Sequence, residues 1–401
     1  MTRAVGVAGI GVVSSFGTSA ETFRDALLRG DSGIAPIRGF PTDGCRTTVA
    51  AEVADFEPTA WVSPMKIRRL DRTGVYALAA TRLAFADGGV SPAPQGDDTT
   101  GVVLGTWTAG GGSTQQFLDA FFRGGPGAAP ALLFDSTVGN SAAGLTGLEF
   151  KLRGPNVTVT HKEASGLAAL VGAVDLLREG RAEAVIAGGV DALFETFFKA
   201  HDRFRVMAPR VGPARPVAPF DRARDGFVMG EGAFLFRLER PGAAARRGEI
   251  LGVSAASAAV PVNAWPASPD PLARTMRLAL EDAGVAPAQV AAVYASANAT
   301  VLDDVEAAAI AQTFGAARPL VTSIKGALGE SGASGSAAVA AALLCGSVGK
   351  VPPISGLSDP SDAAASLRLA RVATDLEGDL VLVNSVASGG ALFSLLLRTV
   401  R

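Results

Sequence analysis

Cysteine and histidine are the side chains that most often act as nucleophiles, proton carriers and metal ligands, and this chain has only two of each. Cys45 sits in a polar stretch, Asp43-Gly44-Cys45-Arg46, and Cys345 far away in an apolar one, Ala342-Leu343-Leu344-Cys345, so the pair argues neither a disulfide framework nor a zinc site. Any mechanism that needs one Cys and two His must use both His161 and His201. The run Gly9-Ile10-Gly11-Val12-Val13-Ser14 is a near miss to a dinucleotide fingerprint. Its last glycine is replaced by Ser14, and no acidic residue closes a second strand about 20 residues further on. Small residues there suit close packing. The chain contains no P-loop, no HExxH and no G-x-S-x-G elbow, and neither a metal nor a cofactor is expected.

The elements around these residues read as alternating apolar strands and helices. Val5 to Val13 is followed by a helical pattern from Thr18 to Arg29; Val157 to Thr160 leads into Gly166 to Arg178; Leu320 to Ser323 leads into Ser336 to Leu344. Several strands are continuously apolar, as in a sheet covered on both faces. The strand–loop–helix at 157–174 is echoed at 320–344, and both helices are apolar nearly all round, so each is expected between layers. Pro241-Gly242 and Arg246-Arg247-Gly248 break the pattern, which places a boundary there, with halves 1–245 and 246–401.

The opening Met1-Thr2-Arg3 and its apolar run read as a buried first strand, since glycines lower its hydrophobicity and no cleavage site follows convincingly. The uncharged stretch from Gly332 to Gly349 is built from Ala, Ser and Gly, which suits a packed helix better than a membrane span. A net charge of -2, from 36 Lys plus Arg against 38 Asp plus Glu, makes nucleic acid and anionic membrane poor partners, and a cytoplasmic protein is expected. Glycine- and proline-rich loops at 110–112, 124–130 and 211–219 interrupt the first half; the longer two are placed to line a cleft or cover a partner.

Four segments together resemble the β-ketoacyl synthases of the thiolase fold: Gly9 to Gly17, Leu152-Arg153-Gly154-Pro155-Asn156, Gly188-Gly189, and above all Pro219-Phe220-Asp221-Arg222-Ala223-Arg224-Asp225-Gly226-Phe227-Val228-Met229-Gly230-Glu231-Gly232. The resemblance covers essentially the whole chain. It implies a five-layered αβαβα α/β body made of two duplicated halves. It also implies, for active members, acyl-chain extension on acyl carrier protein. There a Cys at a helix N-terminus is acylated and two histidines assist decarboxylation and stabilise an enolate.

Carried over residue by residue, that pattern finds none of its three reactive groups. The slot of the nucleophilic Cys, three residues before the glycine of Cys-x-Ser-Gly, holds Glu163. Counting back eleven residues from the acidic residue that closes Asp303-Asp304-Val305-Glu306 places Ala295 in the first His slot; anchoring on Asn298-Ala299 would need a deletion. Lys325-Gly326-Ala327-Leu328-Gly329-Glu330 puts Glu330 in the second. His161 and His201 lie outside both motifs and read as loop or surface histidines. Lys325 is retained, and so is Glu306, which by the resemblance is its ion-pair partner. Where active synthases have Gly-Phe-Gly-Gly-Thr-Asn, this chain has Ala387-Ser388-Gly389-Gly390-Ala391-Leu392, so the aromatic gate is missing.

No catalytic residue is therefore expected in the inherited site. Glu163 reads either as a cap interacting with the helix dipole or as a base in an independent thiolase-fold enzyme, for instance in malonyl-thioester decarboxylation. A synthase-like chain without synthase chemistry resembles the chain length factors, the inactive β subunits of bacterial type II polyketide systems. Those subunits commonly carry Gln where Glu163 stands. The resemblance implies a catalytic ketosynthase subunit and an acyl carrier protein as partners, and a tunnel at the subunit interface. Leu133 to Asn140, with Phe134, Ser136 and Thr137, resembles the stretch that reaches across the dimer. Trp107 to Phe121 resembles the region that sets tunnel depth, and Thr114, Phe117 and Phe121 are spaced to share one helical face.

Overall fold

A computed structural model describes residues 3–401 except 210, 211, 213–215 and 244. Part of the 211–219 loop noted above therefore lies outside the described residues. The sheet strands are β1 (Val5–Val13), β2 (Thr100–Gly105), β3 (Asn156–Val159), β4 (Ala184–Asp191), β5 (Gly232–Glu239), β6 (Gly248–Ser257), β7 (Ala292–Tyr294), β8 (Leu320–Thr322), β9 (Arg368–Leu369), β10 (Leu380–Val386) and β11 (Ala391–Thr399). The principal helices are α1 (Ala20–Arg29), α2 (Arg72–Asp87), α3 (Gly111–Gly124), α4 (Ser141–Phe150), α5 (Ser165–Arg178), α6 (Glu195–Arg203), α7 (Asp270–Ala283), α8 (Leu302–Phe314) and α9 (Ser334–Gly346).

The strands run in the order β9-β8-β7-β10-β11-β6-β1-β5-β4-β2-β3. On one side of the β1/β6 junction, β2 is parallel to β3 and β4, while β5 is antiparallel to β4 and β1. On the other side, β7 is parallel to β8 and β10, while β11 is antiparallel to β10 and β6. Five strands of each half thus repeat one another in order and direction, with the short edge strand β9 added in the second half, and the short antiparallel pairing of Val5 to Val7 with Gly248 to Ile250 joins them. Helices α5 and α9 pack on each other and on strands of both halves. Outside them, α2 and α4 cover the first half, and α7 and α8 cover the second. The layers are therefore αβαβα.

The composition of the central pair explains how it fits. All thirteen residues of α9 are buried, from Ser334 to Gly346, and most of them are Ala, Gly or Ser. Small side chains let its backbone approach both sheets, and a Cβ on Gly335 would lie 2.8 Å from Leu167 Cβ. Val5–Val13 is buried along its whole length as a strand of the joined sheet. Among the described residues, no helix is long and apolar enough to cross a membrane.

Candidate functional site

Four loops meet at the carboxyl ends of their strands: 160–164 after β3, 295–301 after β7, 323–333 after β8 and 387–390 after β10. Ligands in α/β folds bind at such ends. Glu163 stands in the first loop, one turn before α5. Ser165 shapes this loop, because its hydroxyl donates to Lys162 O at 2.6 Å and accepts from His161 N–H at 2.8 Å. Lys162 adopts the left-handed region (φ 50°) to make the turn. Gly166 then brings α5 against the second half: its N–H donates to Gly332 O at 2.7 Å, where a Cβ would crowd Ser336 Oγ.

Glu163 is 2 % exposed and is held by the fourth loop. Ser388 N–H donates to its Oε2 at 3.1 Å, and Ser388 Oγ donates to its Oε1 at 2.8 Å. Lys162 Nζ donates in turn to Ser388 Oγ and, at 2.6 Å, to Asn263 Oδ1. Burial pushes the Glu163 carboxyl up to about 7, with the Glu330 carboxylate adding to the rise and Lys162 opposing it. Glu163 therefore ties its own loop to residues 387–390 rather than capping α5.

Glu330 is buried, and its backbone is clamped by the Pro219–Gly232 run: its N–H donates to Val228 O at 2.7 Å, and Gly230 N–H donates to its carbonyl at 2.9 Å. Its Oε2 accepts from Lys325 Nζ at 2.7 Å and from Asn298 Nδ2 at 2.8 Å. Lys325 also donates to Ser296 Oγ at 3.1 Å. The expected pairing of Lys325 with Glu306 is corrected by this geometry. Glu306 accepts from Ser296 N–H at 3.0 Å and Asn384 Nδ2 at 2.9 Å, and burial raises its carboxyl to about 7. The physical reason is competition: a carboxylate in the second His slot lies nearer the ammonium and binds it directly.

Ala295 continues β7 and packs in the apolar cluster of the second half with Phe220 and Leu302. Asn298, three residues on, is the side chain of this loop that reaches Glu330. Sequence reasoning passed over Asn298 because placing it required a deletion in the count. The signal available in the sequence was the Asn298-Ala299 pair itself.

The two histidines separate. His161 is exposed, with its ring 5.4 Å from Phe393. His201, read from sequence as a loop or surface residue, instead forms a wall of the Glu163 pocket. Its Nδ1 donates to Phe197 O at 2.8 Å, which leaves Nε2 as an acceptor in the neutral ring. Its ring packs at 4.5 Å on Phe197 and at 5.1 Å on Trp107, and burial lowers its pKa. The i, i+4 pairing of Phe197 and His201 was the available signal.

The pocket has a volume of about 230 Å³ and is lined by Lys162, Glu163, His201, Phe227, Trp265 and Ser388, among others. Through Val206 and Trp265 it adjoins a second cleft of about 370 Å³ beside Arg222, Arg224 and Thr300. Trp107, over whose ring face Lys162 Nζ lies at 5.5 Å, is fixed through Asp191. That buried carboxylate accepts from Trp107 N–H, from both Thr108 donors, from Thr106 Oγ1 and from Gly332 N–H. No group of three or more His, Cys, Asp or Glu among the described residues could hold a metal ion.

The Pro219–Gly232 run is scaffold for this site. Asp221 accepts from Ser358 N–H, Ser358 Oγ and Asp359 N–H in the second half. Glu231 accepts from Val53 N–H, Leu193 N–H, Arg72 and Tyr76 in the first.

The tunnel candidates lie on the far side of Trp107. Thr114, Phe117 and Phe121 are half-buried, whereas Gln116, Leu118 and Asp119 between them are exposed. Thr114 Oγ1 donates to Gly110 O at 3.1 Å, and the Phe117 ring lies 5.9 Å from that of Phe134. Ser136 is buried, donating to Arg69 O at 2.7 Å, and Thr137 Oγ1 donates to Phe134 O at 2.7 Å. Phe134 itself is 57 % exposed. Phe122, Leu132, Val138, Leu148 and Val157 are also exposed, Val157 on β3, the strand at the edge of the sheet.

Comparison with known proteins gives this arrangement its relatives. The model of the β-ketoacyl synthase N-terminal domain matches residues 2–242, and that of the C-terminal domain matches residues 247–358. A 3-oxoacyl-[acyl-carrier-protein] synthase 2 of Coxiella burnetii is 29% identical, covering 99% of both chains. The tetracenomycin polyketide synthase ketoacyl synthase beta subunit of Streptomyces glaucescens is 31% identical over 80% of each chain. The oxytetracycline polyketide putative beta-ketoacyl synthase 1 of Streptomyces rimosus is 34% identical over 82% of this chain and 81% of its own. Among solved structures, the ishigamide ketosynthase/chain length factor superimposes over the full length of both chains with a TM-score of 0.93 at 30% identity. A β-ketoacyl synthase from Burkholderia phymatum does so at 0.90 and 27%. Duplicated halves, four loops meeting at Glu163 and matches along both domains together make this chain a member of the β-ketoacyl synthase family, with ketosynthase β subunits of type II polyketide synthases among its relatives.

Proposed function

We propose that the chain is a non-catalytic ketosynthase-like subunit that pairs with an active ketosynthase and shapes the tunnel that limits the length of a polyketide or polyene chain carried on acyl carrier protein. One feature carries the reading: motif spacing puts Glu163, a carboxylate tied to Ser388, in the nucleophile slot and Ala295 and Glu330 in the two His slots, so none of the three is a Cys or His. The open edge at β3 and the exposed Phe134, Val138, Leu148 and Val157 support a subunit interface on that face, since uncovered strand edges and large apolar patches mark association surfaces. The half-buried Phe117, packed on Phe134, supports α3 as the gate. Co-expression with a ketosynthase from the same gene cluster should yield a stable heterodimer, and purification only as a homodimer would refute the pairing. Phe117→Ala in that heterodimer should lengthen the product, and an unchanged product distribution would remove Phe117 from the gate.

A second reading, independent thioester chemistry with Glu163 as base, is favoured by the carboxyl's rise to about 7 and its place in an open pocket. Turnover of malonyl-carrier protein by the isolated chain, abolished by Glu163→Ala, would establish it. Absence of turnover in both proteins would remove it.

A further inference from the structure

The loop that replaces the aromatic gate places a hydroxyl between an acid and an amine. Ser388 Oγ donates to Glu163 Oε1 at 2.8 Å, within reach for direct proton transfer. The same oxygen accepts from Lys162 Nζ, whose remaining bonded partner is Asn263 Oδ1. An ammonium has three donors; these two bonds leave the third, beside the Trp107 ring face, without a hydrogen-bond partner and available to a ligand. All three side chains line the pocket of about 230 Å³, which is small for a drug-sized ligand but sufficient for a short acyl group. Its other walls include Phe204, Phe227 and Trp265, and it adjoins the second cleft, so an arm attached to the acyl group has a route out.

We propose that Ser388 is a nucleophile for small acyl thioesters, with Glu163 as its general base and the free donor of Lys162 as its oxyanion contact. A serine hydroxyl is a weak nucleophile until a base within hydrogen-bond reach takes its proton, and Ser388 has such a base. A thiolate is a good leaving group that needs little protonation, and Glu163, having taken the Ser388 proton, can return it to the departing sulfur.

In the first step Ser388 Oγ attacks the carbonyl carbon as its proton moves to Glu163; the C–O bond forms, the C–S bond breaks, and the thiolate takes the proton from Glu163. In the second, Glu163 takes a proton from a water molecule that attacks the ester; the ester C–O bond breaks, Ser388 recovers the proton, and the free acid leaves. Burial supports the role of Glu163 as base, since it raises its carboxyl to about 7.

This hydrolysis is distinct from the condensation chemistry that the proposed subunit lacks; it needs no partner subunit and stands or falls apart from the tunnel. The test uses the isolated full-length chain with S-acetyl-N-acetylcysteamine as probe, following thiol release and intact mass. Wild-type protein should release thiol about a hundredfold faster than buffer, with an acetyl adduct mapping to the peptide that contains Ser388. Ser388→Ala should abolish both signals, and Glu163→Gln should reduce the rate at least about tenfold. Ser388→Cys should retain acylation, which separates loss of the nucleophile from loss of folding. A wild-type rate equal to buffer overturns the proposal. Release that survives Ser388→Ala also overturns it, and if that release disappears in Glu163→Gln, direct Glu163 chemistry takes its place.

Discussion

Replacing Glu163 with glutamine keeps the shape of the side chain and removes its charge, so it isolates one buried ionisation. The folded protein holds this proton to about 7, against an ordinary value of 4.5. That gap corresponds to about 3 kcal/mol between the two protonation states. The raised folded value determines the sign. Between 4.5 and about 7 the folded chain binds a proton that the unfolded chain has released, so stability falls as pH rises. The contribution is complete below the unfolded value and lost as pH passes the folded one. Wild-type stability minus that of Glu163→Gln should therefore be level below 4.5, decline through the interval, and level off about 3 kcal/mol lower by about pH 8. Urea unfolding of both proteins across that range measures the difference directly. Glu306, raised to about 7, and Asp303, raised to about 6, titrate in both proteins and cancel. The groups that act on Glu163 are Glu330 and Lys162, with Ser388 bonded to it and His201 across the pocket. A difference independent of pH would refute the reasoning. One that favours wild type as pH rises would show Lys162, acting through Ser388, holding the carboxylate ionised.

Two further substitutions test the scaffold. Lys325→Met leaves Glu330 buried without its cation and should cost about 3–5 kcal/mol, most of which Lys325→Met/Glu330→Gln should recover in thermal unfolding. Gly230→Ala would place a Cβ 2.0 Å from Leu328 O, a backbone clash with no side chain to move aside. It should destabilise by more than about 3 kcal/mol or abolish soluble expression.

The layers, the first strand and the buried Ala-rich helix were legible because each is written in local hydrophobic pattern, and the position of Glu163 was legible because it is counted from the glycine of its own loop. The partners of the site residues were not. Glu163 meets Ser388, and His201 faces a pocket whose other walls come from four distant segments. Spacing along the chain carries no information about such meetings. Lys325 shows the difficulty most directly. Which of two buried carboxylates it binds depends on distances across the site, and it binds Glu330 rather than Glu306.

The place of β1 in the joined sheet sets a problem for synthesis. From Gly6 to Val13 it pairs on one side with β5, which begins at Gly232, and over Val5 to Val7 it pairs on the other with β6, which begins at Gly248. At ribosomal speed, on the order of 5–20 residues per second, that interval lasts roughly ten to forty-five seconds. Throughout it the first strand has emerged with both edges open and every side chain meant for the interior. A nascent chain in this condition pairs with whatever strand it meets, so its yield depends on how well it is held away from its own copies until Gly232 appears. Any fragment that stops short of that residue keeps the exposed strand permanently.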